Sequence, residues 1–147
     1  MFGRFRHLVR MYIMTFSLDI KEFAKKVDKN IDDVGRTVAI DLFSAIVKQS
    51  PVDTGRFRNN WNASINGPDL STIETTDKSG QKAIAGIVNT AKAFNFSSEG
   101  TIFLSNNLPY AQRLEYGWSK QAPSGMVRVN IARFQSAIKK AIQSLPK

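Results

Sequence analysis

The sequence predicts an α+β fold: a long N-terminal helix and a C-terminal helix packed on a small antiparallel sheet of about three strands, with a short helix before the last loop. Two observations carry the helices and one carries the sheet. Apolar residues recur in steps of three and four over residues 17–50 and again over residues 127–145. Between them lie short runs rich in β-formers, separated by Gly, Pro, Asn and Asp.

The first helix follows Ile20, Phe23, Val27, Ile31, Val34, Val38, Leu42 and Ala45, one face of an amphipathic rod. Ser17 or Asp19 can cap its start, and Pro51 stops it, because the residue before proline avoids helical geometry. At 1.5 Å per residue the rod is on the order of 45 Å long, more than one compact domain of this size needs. Gly35 is a point where it can bend. In "SPVDTG", Pro51 ends the helix, Asp53 can bond backbone two residues on, Thr54 follows, and Gly55 can take positive φ. Phe57, Trp61, Ala63 and Ile65 then alternate as in a half-buried strand, with Trp61 in the core. Residues 66–82 are polar and rich in turn formers, which predicts a mobile loop. "AIAGIVNT" (83–90) reads as a second strand and "TIFLSN" (101–106) as a third. Pro109 opens a short helix with Ala111, Leu114 and Tyr110 as its inward residues, Gly117 ends it, and "SKQAPSG" is a loop. The last helix is set by Val127, Ile131, Phe134, Ile138, Ile142 and Leu145.

Residues 17–147 thus form a single domain, and residues 1–16 a basic N-terminal arm, flexible or ordered by a partner, with Met11 and Met14 as alternative starts. The arm's apolar run is too short and interrupted for a secretory signal. The chain has no run of about 18 apolar residues, so no helix is expected to span a membrane. The net charge of +9 is concentrated at the two ends. Residues 1–13 hold Arg4, Arg6 and Arg10 without an acid, and residues 110–147 hold seven bases against Glu115 alone.

Enzyme chemistry lacks parts. The chain has no cysteine, and its one histidine, His7, lies in the arm. A histidine base or a Ser-His-Asp triad therefore has no candidate in the domain. Neither a phosphate-binding loop nor a pair of converging carboxylates is present, and no cofactor or metal is expected. Glu115, in "LPYAQRLEYGW", reads as a part-buried structural or interface carboxylate that needs a partner. Arg56, Arg58 or backbone donors after the "DTG" turn are the candidates. Trp118 reads equally as an interface anchor or a core residue.

"SPVDTGRFRNNW" after a long helix, followed by "PYAQRLEYGW" before a last helix, resembles the neck and tail-completion (head–tail joining) proteins of long-tailed bacteriophages and prophages. The family's Pro-x-Asp-Thr-Gly-x-Leu/Phe-Arg element is met by Pro51, Asp53, Thr54, Gly55, Phe57 and Arg58. Its Tyr-Ala-x-x-x-Glu-x-Gly element is met by Tyr110, Ala111, Glu115 and Gly117. The basic arm and the long loop at 66–82 depart from the pattern. The resemblance implies a non-enzymatic virion protein of the neck or tail region, assembled in the host cytoplasm as a homo-oligomeric ring. Its partners are then other head–tail connector or tail proteins, with DNA close by in the channel. The competing expectation, from the charge and a pI near 10, is a basic nucleic-acid-binding protein without catalytic activity.

Overall fold

The computed structural model describes residues 31–96 and 100–143, with the side chains of 31 and 137–143 left aside. The expectations for the N-terminal arm and for the helix start near Ser17 lie outside the described residues. Helix α1 (Ile31–Gln49) carries Asp32 and Asp33 in its first turn and Lys48 in its last, the charge order that suits a helix dipole. It buries Val34, Leu42, Phe43, Ile46 and Val47. At Gly35 the ring of Phe96 packs where a Cβ would stand, at 2.5 Å, so this glycine serves close approach.

Past Pro51 comes a single helical turn, α2 (Arg56–Asn59), and then strand β1 (Asn62–Ile65). The predicted strand over 57–65 is therefore half helix: Phe57 and Trp61 are four apart on one face and meet edge-on at 5.8 Å. Trp61 is in the core, its indole N–H donating to Ser50 Oγ at 2.7 Å, while Ser50 Oγ–H donates to the Ile46 carbonyl at 2.8 Å.

The larger correction concerns 83–90, which is helix α3 (Gln81–Ala93) and not a strand. Ala83, Ile87 and Ala91, at steps of four, face inward against α1 and β1. The sheet accordingly has two strands. β1 pairs antiparallel with β2 (Ile102–Ser105), with Asn62 opposite Ser105 and Ile65 opposite Ile102. All four β2 residues are buried. The architecture is α+β as expected, with helix α3 in place of one strand.

Residues 66–80 have no regular structure apart from a turn at their end, yet they are strapped to the domain. Ser105 Oγ–H donates to the Asp69 carbonyl at 2.7 Å and Asn107 Nδ2–H to the Leu70 carbonyl at 2.8 Å. Buried Asn60 both donates to and accepts from the Ile73 backbone, at 3.0 and 2.9 Å. Asn59 reaches Thr75 twice. Buried amides must find partners, and these find them in the strap. The short helix α4 (Ala111–Glu115) and the C-terminal helix α5 (Val127–Gln143) complete the chain. Leu42, Ile46, Ile87, Leu104, Leu108 and Met126 form the centre of the core, each no more than 2 % exposed.

Candidate functional site

The two sequence elements build two neighbouring devices. The first closes the C-terminus of α1. Gly55 has φ +93°, and a Cβ there would stand 2.6 Å from the Lys78 backbone nitrogen, so only glycine fits the turn. Thr54, and not Asp53, bonds ahead, its Oγ1 accepting from the Arg56 N–H at 3.2 Å. Pro51 is buried while Asp53 and Thr54 are exposed. The turn sends Arg58 back beneath α1, where its guanidinium donates to the carbonyls of Lys48 (2.8 Å), Ser50 (2.7 Å) and Lys78 (2.8 Å). Those first two carbonyls lie at the negative end of a helix and have no intrahelical partner, so a cation is the suitable cap. Burial lowers the Arg58 pKa, with Asp77 opposing, and the guanidinium stays charged. Arg56 turns outward to the exposed Glu74 at 3.0 Å and to the Ile73 carbonyl at 3.3 Å.

The second device is the corner between α4 and α5. Glu115 is 7 % exposed. Its carboxylate accepts from three successive backbone N–H groups at the start of α5: Met126 (3.0 Å), Val127 (3.0 Å) and Arg128 (3.1 Å). Arg128 Nε donates to Oε1 at 3.1 Å and the same guanidinium to the Glu115 carbonyl at 2.7 Å. Glu115 is thus a long-range N-cap for the last helix, its charge set on the positive end of the helix dipole. The expected partners Arg56 and Arg58 are both committed elsewhere, the one to the strap and the other to the end of α1. Gly125 (φ +86°) has no room for a Cβ, which would meet the Glu115 carboxylate at 2.8 Å. Gly117 (φ +89°) ends α4 and lies against the Pro123 carbonyl.

The link between the two devices, expected through Glu115, runs through Gln121 instead. Its side-chain amide donates to the Val52 carbonyl at 3.1 Å and accepts from the Val52 N–H at 2.9 Å. Tyr110, 38 % exposed, adds a ring contact with Phe57 at 6.0 Å. Gln121, Arg128, Asn60 and the buried Asn106, whose Nδ2–H donates to the Phe57 carbonyl at 2.9 Å, are not among the residues the sequence points to. Of these, Arg128 left a trace, since a base in the first helical turn opposes the dipole unless an acid lies beside it.

From this corner the aromatics project. Trp118 is 75 % exposed and Tyr116 50 %, which excludes Trp118 from the core. Arg113 lies 5.5 Å from the Trp118 ring and Arg128 4.5 Å from the Tyr116 ring, at cation–π distances. With Lys120 also exposed and Glu115 buried, the surface is basic and aromatic. Among the described residues no group of His, Cys, Asp or Glu could hold a metal, and no helix is long and apolar enough to cross a membrane.

Fold and site define a small α+β domain whose most elaborated feature is a buttressed corner bearing exposed aromatics. Residues 15–117 match the family described as "Bacteriophage HK97-gp10, putative tail-component", and the chain belongs to that family. No curated protein and no solved structure matches the chain.

Proposed function

We propose that this chain is a non-enzymatic structural protein of the bacteriophage virion that joins head to tail or completes the tail end, as a ring of identical subunits in contact with other neck or tail proteins. Assembly in the host cytoplasm and residence in the neck or tail region follow from that role. The observation that carries the reading is Trp118. A tryptophan three-quarters exposed, on a corner held by Glu115 and Gln121, is placed for a protein contact and not for the core of its own domain. A closed ring needs heterologous contacts, and a projecting anchor on a stiff corner is suitable material. The test is sedimentation of the Trp118→Ala protein together with images of particles made with it. A folded subunit that fails to assemble, and particles with unjoined or unfinished tails, are expected. Turnover from pure protein that Glu115→Gln abolishes while assembly persists contradicts the non-enzymatic part.

A second reading, nucleic-acid binding, is favoured by one observation: the two Arg–aromatic pairs could stack on bases and meet phosphates. It predicts DNA binding by the monomer that weakens steeply with salt, whereas a ring persists as a discrete mass.

A further inference from the structure

Between α3 and the strap lies a cleft of ≈ 250 Å³ that the core leaves unfilled, lined among others by Ile73, Thr75, Lys82, Ala83, Gly86 and Thr90. It is smaller than the roughly 300–1,000 Å³ of pockets that hold small-molecule ligands, and is of side-chain size. Two of its walls are unusual for a surface with no partner. Ile73 is 44 % exposed. Gly86 sits inside helix α3, where glycine costs conformational entropy, and a Cβ there would meet nothing within 4 Å. Neither a turn nor internal packing calls for that glycine; its effect is to leave this wall of the cleft without a side chain.

We infer that this cleft receives Trp118 of the next copy of the chain, so that each subunit carries a knob at the α4–α5 corner and a hole between α3 and the strap. The inference rests on the ring reading above and supplies its interface. The chemistry of the two surfaces agrees. Lys82, the one charged residue lining the cleft, is a cation suited to an indole face, and the hydroxyls of Thr75 and Thr90 offer acceptors for the indole N–H. The strap residues that line the cleft, Ile73 and Thr75, stand on either side of Glu74, which is paired with Arg56 at 3.0 Å, while Arg113 and Lys120 flank Trp118. Knob and hole share no residue, so the contact can run head to tail from one copy to the next, which is what a closed ring requires.

The experiment is sedimentation velocity on four proteins and one mixture. Gly86→Phe fills the hole and Trp118→Ala removes the knob; each is expected to be folded and to assemble at least about tenfold more weakly than wild type. Gly86→Ala, which adds only a methyl group in open space, is expected to assemble as wild type does. An equimolar mixture of Gly86→Phe and Trp118→Ala retains one intact knob and one intact hole, and is expected to give pairs that go no further. Wild-type assembly by Gly86→Phe, or a mixture that stays monomeric, overturns the inference and leaves the ring reading standing. A wild-type protein that is monomeric at every concentration, alone and with its neighbouring virion proteins, overturns both.

Discussion

Among the described residues two helices begin at a carboxylate, and the two carboxylates differ in reach. Asp77 accepts from the N–H groups of Ser79 (3.0 Å) and Lys82 (2.9 Å), all within five residues, at the exposed start of α3. Glu115 accepts from N–H groups 11 to 13 residues ahead, inside the fold. A local cap stabilises its own helix. A remote one also fixes how two helices meet, so α4, α5 and the loop between them are held as one body. The molecule uses the remote kind where the exposed aromatics project.

The largest effect on stability is expected of Glu115→Ala. It strips two buried and one part-buried backbone N–H group of their acceptor, and takes one of two acceptors from the part-exposed Arg128 guanidinium, and is expected to lower stability by about 3–5 kcal/mol by urea unfolding. An effect under about 1 kcal/mol would mean the corner stands without its carboxylate. Next comes Gly125→Val, a β-branched residue at positive φ against that carboxylate, expected to cost about 1–3 kcal/mol. Gly55→Val should cost more than about 1 kcal/mol for the same backbone reason. An unchanged melting temperature in either would show that the turn is built differently.

Asp77→Asn should give a smaller drop than Glu115→Ala, and one that depends on pH. The Asp77 pKa is held below its ordinary 3.8, first by the Lys82 N–H and next by the Ser79 hydroxyl. A carboxyl whose pKa is lower in the folded state adds stability above its unfolded pKa and loses it as pH falls through the folded value. The gap between wild type and Asp77→Asn should therefore be full at neutral pH and close in acid. A gap that widens in acid contradicts the assignment.

These contrasts also explain what could be read in advance. α1, its stop at Pro51, positive φ at Gly55 and the buried state of Glu115 follow from residues within a few positions of one another. α3 was misread because Ile84, Ile87 and Val88 look like strand, although Ala83, Ile87 and Ala91 already carried the helical step of four. The partner of Glu115 was not legible, because several arginines are chemically equivalent acceptor-seekers. Only the fold decides that Arg58 goes to the end of α1 and Arg128 to the corner. The strap was invisible for a similar reason: its order comes from Asn59, Asn60, Ser105 and Asn107, which look like ordinary turn and surface residues in a sequence.

On the function proposed above, the corner divides two roles, with Glu115 as the internal post and Trp118 as the outward contact. Sedimentation velocity of Trp118→Ala beside wild type, on samples whose unfolding midpoints are matched, tests it most directly. The tryptophan is largely solvated, so its loss should leave subunit stability within about 0.5 kcal/mol while the assembled species is replaced by monomer. A Trp118→Ala protein that sediments as wild type does, or that unfolds as a subunit, contradicts the claim.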